Sequence, residues 1–528
     1  MRSMRSKWGQ LVVASTALLC AGCGGRAPAV RTAPPACTAP ADPFPTPTGW
    51  TWMSGADQAD RPGVYGTEGV PGAANSPGAR AYPAHWEDSN GDFWLFGGTG
   101  VATGTAIGQL DDLWEYGGGE WTWVGGTDQL NEPGVYGTRG VPAPGNLPGG
   151  RFAAAAWAGP GGGVWIFGGT GIDADGSRGY LDDLWNFKNG EWTWVGGPSV
   201  LGVFGGADSG DAGVYGTEGV AAPGNWPGSR FDAVSWVDAS GDLWLFGGEG
   251  LDSAGTLGPL NDLWEYTPAT GMWAWMSGAN VVNAAGIYGT RGVFAPGNVP
   301  GARSGAAGWA DGTNLWLLGG YGSDAAGNQG SLDDLWEYSG GEWAWIGGSD
   351  AYDDPGFYGV QGLPGPRNYP GSRNGALTWT DPQGAFWLFG GEGYSCDQGT
   401  VVFGDLDDVW RYSTSQWTWV GGPSYPGSPG AYGAMGSASS GSFAGGRLWA
   451  AGWFGPSGSL WLFGGFDPNA APPGALGDLL NDLWRFQPPP EARPAGTRAP
   501  SLRPMAGTTA VRSPAGSRGA TSLRPPGG

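Results

Sequence analysis

Tryptophan and branched apolar residues fall along this chain in short bursts bounded by glycine, and the bursts repeat. The pattern (F/L/V)-W-(L/I)-(F/L)-G-G recurs at Trp94, Trp165, Trp244, Trp316, Trp387 and Trp461, and a D-(L/V)-W pattern follows at Trp114, Trp185, Trp264, Trp336, Trp410 and Trp484. W-x-W pairs begin at Trp50, Trp121, Trp192, Trp273, Trp343 and Trp417, and an Arg stands six residues before Trp86, Trp157, Trp236, Trp309, Trp379 and Trp453. This lattice absorbs 30 of the 33 Trp. Each burst is four to seven residues long and rich in aromatic and branched side chains, which predicts strands rather than helices.

We label the elements A (Arg-x5-Trp), B (WLFGG), C (DLW) and D (WxW). The A–B and C–D links, such as 89–91 and 117–119, have hairpin length, so four antiparallel strands form one unit, as in a propeller blade. The first element is a lone D strand at Trp50, and the last unit stops after its C strand at Trp484. The predicted fold is therefore all-β: a six-bladed β-propeller of four-stranded antiparallel blades, closed by the N-terminal strand, which leaves no sheet edge exposed. Small residues in the A elements, such as those at 153–156 and 304–308, suit a crowded axis.

Composition narrows the function classes. The 528 residues include 108 Gly without a G-X-Y period, which excludes collagen, and so many indole rings require a packed core, which excludes a disordered chain. Residues 50–486 carry 14 Lys and Arg against 45 Asp and Glu, a net of −31, and such a body repels a phosphate backbone, so no nucleic-acid partner is expected.

The ends carry addresses. Arg2, Arg5 and Lys7 precede an apolar run at 11–19, too short for a permanent span, and 1–22 read as an export signal. Leu19-Cys20-Ala21-Gly22-Cys23 resembles the bacterial lipobox, which implies lipidation of Cys23, attachment to the membrane through that anchor, and an outer-membrane or cell-surface location. Residues 23–49 read as a Pro/Ala/Thr-rich tether, 50–486 as the repeat domain and 487–528, with six Arg against one Glu, as a disordered basic tail. Cys37 and Cys396 are the thiols left after processing, and their spacing alone does not say whether they pair.

The Gly-Gly after strand B, the D-L-W-x-(Y/F) and the W-x-W, six times over 50–486, resemble the kelch repeat family. The period here, 70–80 residues, exceeds the roughly 40–50 of such repeats, and the excess sits in the D–A links. The resemblance raises the copper radical oxidases similar to galactose oxidase, whose site needs two His, Tyr ligands and a Cys. This chain has one His, His85, and the matching positions in the other units are small residues. No cofactor and no metal centre are therefore expected, and one His gives no convincing nucleophilic triad.

Strand alternation sends the long D–A and B–C links to one end and the short turns to the other. A Tyr recurs 15 residues before each Arg, which suits a packed structural rim, whereas departures from the repeat are candidates for binding. Two departures stand out: an insertion at 198–212 with Phe204, Asp208 and Asp211, and the B–C link at 394–405 with Tyr394 and Asp397. The six repeated arginines, Arg80, Arg151, Arg230, Arg303, Arg373 and Arg447, have two readings: clamps onto neighbouring acids, or a ring that forks onto an acidic ligand. The paired acids of strand C, such as Asp111-Asp112 and Asp182-Asp183, read as turn caps, and Asp173-x-Asp175-Gly176 is a fragment of a calcium-loop pattern without its distal Glu. The expected protein is a monomeric, non-catalytic surface protein whose loop-rich end binds a glycan or protein. The alternative is a carboxylate-based carbohydrate-active enzyme.

Overall fold

The computed structural model describes residues 49–488, apart from 160–161, 203–208, 398, 440, 456 and 470–477. Among the described residues all regular structure is β-strand, in antiparallel sheets of a propeller-like all-β fold. In the first unit the short strand Arg80–Ala81 and the strand Ala84–Glu87 both pair with Phe93–Val101, which pairs with Ile107–Gly117 and then Glu120–Gly125. The second and fourth units repeat this order, while in the third and fifth the ends near the Arg form separate three-stranded sheets. The N-terminal strand Trp50–Ser54 pairs with the last strand, Leu479–Phe486, as the outer member of a four-stranded sheet.

Strands B and C kink together. Their register shifts where Gly97 meets the Asp111-Asp112 stretch, and again at each equivalent position that remains within one continuous strand pair. Gly97 has φ +64°, and a Cβ there would lie 2.7 Å from the carbonyl oxygen of Arg151 in the next unit, which is why this position needs glycine. The corresponding approach in the last unit is from Gly464 to the carbonyl of Arg80, in the first.

The core lies between sheets. One cluster joins Trp86, Phe96 and Leu113 of the first unit to Ile166, Trp185 and Trp192 of the second, and another joins Phe93 and Trp114 of the first to Trp453, Phe463 and Leu483 of the last. Wide indoles fill these wedges with few strands per unit, and each fully buried ring removes about 150–250 Å² from water.

Between the two pieces of each A element sits one residue in the left-handed region: Tyr82, Ala153, Asp232, Gly305, Gly375 and Trp449, with φ from 54° to 65°. Their backbones form a cycle. Each N–H donates to the carbonyl of the preceding member at 2.9–3.0 Å, and Tyr82 donates to Trp449.

Candidate functional site

The six repeated arginines are not offered to a ligand, which corrects the binding reading of Arg80, Arg151, Arg230, Arg303, Arg373 and Arg447. Each is at most 2% exposed and forks onto the second acid of strand C: Asp112, Asp183, Asp262, Asp334, Asp408 and Asp482, with the shortest contacts 2.6–2.7 Å. The same guanidinium donates to the carbonyl of the first Gly of the Gly-Gly, as Arg80 does to Gly97. Each Asp also accepts from the repeated Tyr hydroxyl and from the Trp two residues on, so Asp112 takes Tyr65 at 2.8 Å and Trp114 at 2.7 Å. Burial alone pulls the Arg80 guanidinium down, but the Asp112 charge outweighs it and leaves the group above its ordinary value. Tyr65 is pushed far up by burial, then by Asp112. The tetrad of Arg, Asp, Tyr and Trp recurs in all six units and joins a link, two strands and the kink between them.

The first acid of the pair does cap a turn. Asp111 accepts from the N–H of Thr127, Asn261 from Ala279, Asp333 from Ser349 and Asn481 from Ala56. In the two remaining units that N–H position holds Pro198 and Pro423, which have none. Their buried acids, Asp182 and Asp407, are held well above the usual carboxylate range, by burial first and by neighbouring carboxylates next, as is Asp333, which keeps its backbone donor.

The departures behave differently from one another. Phe204 and Asp208 lie outside the described residues. Asp211 pins the base of its own link: its N–H donates to Ser229 Oγ at 2.7 Å and its carboxylate accepts from the Gly202 N–H. Tyr394 and Asp397 belong to the strand Glu392–Asp397, which forms a hairpin with Thr400–Asp405. Tyr394 packs on Phe403 at 4.9 Å, and its hydroxyl is raised to about 12 by burial and by Asp353, to which it is hydrogen-bonded. Cys396 is buried and disulfide-bonded, and the other three cysteines lie outside the described residues. Asp173 caps a turn, accepting from the N–H groups of Asp175 and Ser177, and Asp252 and Asp324 do the same in their units.

Side chains that differ between units gather at the hydrogen-bonded ring, which sequence reasoning passed over. On it stand Tyr82, Asp232 and Trp449, with Ala or Gly at the other three positions. Tyr82 stacks on Trp449 with centroids 4.1 Å apart and planes 20° apart, and Phe152 and Phe466 extend the aromatic patch. The Asp232 carboxylate leans over Gly305, where a Cβ would stand 2.9 Å from Oδ2, and the Trp449 indole leans over Gly375. One step outward, strand register gives Thr99, Thr170, Glu249, Tyr321, Glu392 and Phe466 equivalent positions.

The acids here perturb one another. Asp232 is pushed up to about 7 by burial and then by Glu249, and Glu392 is raised by burial. Asp405, which pairs with Glu392, is pushed up to about 8 by burial, then by Glu392 and Asp467. Tyr82 is raised by burial and by Asp232, Glu392 and Glu249. Aromatic faces thus adjoin carboxylates on a surface that water reaches: Tyr321 is 43% exposed, and Tyr82, Asp232, Glu249, Glu392 and Trp449 are half-buried. A signal for this site exists in the sequence, because Trp449 is one of the three Trp outside the repeat lattice.

The opposite end offers two grooves between units, of about 340 and 240 Å³, the first lined by Trp86, Trp94, Glu87 and Phe187 and the second by Trp244, Glu265 and Tyr338. Beside them Asp88, Asp92 and Glu115, and likewise Asp238, Asp242 and Glu265, converge closely enough to hold a cation. Asp88 and Asp238 are already turn caps, each accepting two backbone N–H groups and one indole N–H.

No family model and no curated protein matches the chain. Among solved structures, one titled "Structure of YjhT" is similar at 13% sequence identity with a TM-score of 0.42, covering 79% of this chain and 95% of that one.

Proposed function

We propose that the chain is an exported lipoprotein carrying a six-bladed, kelch-like propeller, and that its loop-rich end binds a glycan at the hydrogen-bonded ring without transforming it. Three relations support the six-fold closed arrangement: the pairing of Trp50–Ser54 with Leu479–Phe486, the cycle of six backbone hydrogen bonds, and the approach of Gly464 to Arg80. The observation that carries the binding reading is the Tyr82–Trp449 stack beside Asp232 and Glu392, at a place where the units share a backbone but not side chains. Sugars present C–H faces to aromatic rings and hydroxyls to carboxylates, and a site of mixed apolar and convergent polar groups is the usual form of a small-ligand site.

A second reading, carboxylate-based catalysis on a sugar, is favoured by Asp232 and Asp405, since carboxyls pushed to about 7 and 8 are poised to hold a proton near neutral pH. Screening the mature full chain on a glycan array, then incubating each bound sugar and assaying for product, tests both. Binding lost on Tyr82→Ala or Trp449→Ala with no product supports a binding protein. Product formation overturns it in favour of the enzyme, and binding indifferent to both changes places the ligand elsewhere.

A further inference from the structure

Resting on the reading of the ring as the glycan site, we infer that its ligand carries positive charge: a sugar with a free ammonium group rather than a neutral or acidic one. Asp232 and Glu392 have no ion-pair partner among the described residues, and Glu249 lies close enough to Asp232 to raise it. The six arginines closest along the chain are each committed to their own Asp, and the described residues contain a single Lys, Lys188, which lies in a C–D turn at the other end. Arg61 and Arg178, in links at the loop-rich end, are exposed to solvent. At the ring itself an acidic ligand would add to the repulsion among these carboxylates, whereas an ammonium relieves it.

A second, independent observation points to hydroxyls on the same ligand. Thr170, 8% exposed, has the register position of Glu249 and Glu392, and its Oγ1 has no hydrogen-bond partner. Gln109, 1% exposed, pairs with Thr99 as Asp405 pairs with Glu392, and neither its amide oxygen nor its amide nitrogen has a partner. Buried polar groups left unpaired are costly, and a polyhydroxylated ligand supplies both donors and acceptors.

The spread of the acids separates an organic cation from a metal ion. Among the described residues, three carboxylates close enough to share one ion occur only at Asp88, Asp92 and Glu115 and at Asp238, Asp242 and Glu265, both at the opposite end. Asp232, Glu249 and Glu392 instead surround Tyr82 closely enough to raise it, Tyr82 stacks on Trp449, and an ammonium is attracted by carboxylates and aromatic faces alike.

The test uses the mature full chain and three oligosaccharides of equal length: glucosamine units with free amines, the same units N-acetylated, and uronic-acid units, compared by calorimetry. We expect the free-amine sugar to bind at least about tenfold more tightly than the acetylated one, with affinity falling as salt rises. Asp232→Asn and Glu392→Gln should each reduce that preference several-fold while melting temperature holds or rises. Should either variant fail to fold, the wild-type ligand series alone decides. Equal or tighter binding of the acetylated or acidic sugar, lost in Trp449→Ala, overturns the charge inference and leaves the binding reading standing. Absence of binding by all three sinks both.

Discussion

Arg80 and Asp112 meet as a two-pronged pair, Nη1 on Oδ1 at 2.6 Å and Nη2 on Oδ2 at 2.8 Å, with neither side chain exposing any surface. Every remaining polar atom of the pair is engaged as well: Nε donates to Gly78, Nη1 also to Gly97, and the carboxylate accepts from Tyr65 and Trp114. Two charges removed from water are tolerated only with such complete satisfaction.

Removing one partner leaves the other charged and buried. Arg230→Ala is therefore expected to destabilise the fold by about 3–5 kcal/mol, read from urea-unfolding midpoints, because Asp262 keeps only Tyr215 and Trp264 as donors. Arg230→Lys should recover part of the loss, since it restores charge without the fork. Near-wild-type stability in the Ala variant would show that the clamp contributes little to the fold.

Asp407 stands opposite Pro423 without the backbone donor that Asp111 finds in Thr127. Its pKa is raised on folding, so the folded state holds the proton more tightly. Wild-type stability should then fall as pH rises from about 4 towards the folded-state value, by at most about 1.4 kcal/mol per unit. Asp407→Asn, the amide already used at positions 261 and 481, should be near neutral at pH 4 and increasingly stabilising at pH 6 and 8. A difference between the two proteins that is flat with pH would show that this carboxyl does not titrate differently on folding.

The N-terminal strand supplies one strand of the last sheet and buries Trp50 against Phe389, Trp484 and Phe486. Deleting 45–56 should abolish cooperative melting or yield aggregates, since it opens a sheet edge beside a lost indole, whereas deleting 490–528 should leave the melting curve unchanged. Equal melting temperatures for the N-terminal deletion and the full chain would contradict this role.

The proposed lipid anchor rests on Cys23, outside the described residues. Cys23→Ala should eliminate metabolic labelling by a fatty-acid analogue and release the protein from membranes while near-ultraviolet dichroism of the folded body is retained. Labelling that persists in the variant would refute lipidation at that residue.

The strand positions were legible because glycine bounds each aromatic burst, and the apolar burst of every A, B, C and D element falls on a strand, while the Arg end of the sixth A and the Gly-Gly and Asp of the third and fifth B and C elements lie just outside. The tetrad was not. Arg80 and Asp112 lie 32 residues apart, and Asp111 and Asp112 look alike in sequence although one caps a turn and the other holds the Arg; only the kink at Gly97 turns them to different partners. The ring is hidden for another reason. Its members occupy a position where Ala and Gly serve as well as Tyr or Trp, so the pattern that reveals strands is silent there, and the insertion at 198–212 is the more conspicuous departure from the repeat.

The ring uses only backbone atoms for its own cohesion, and this sets the terms on which its side chains can change. A residue at 82, 153, 232, 305, 375 or 449 has to bring an N–H and tolerate a left-handed backbone, which rules out proline and disfavours the β-branched residues. Gly305 and Gly375 carry a further constraint, because a Cβ there meets the Asp232 carboxylate and the Trp449 indole. Point changes at 82, 153, 232 and 449 can therefore alter what the ring displays, one unit at a time, with the sheets underneath left as they are.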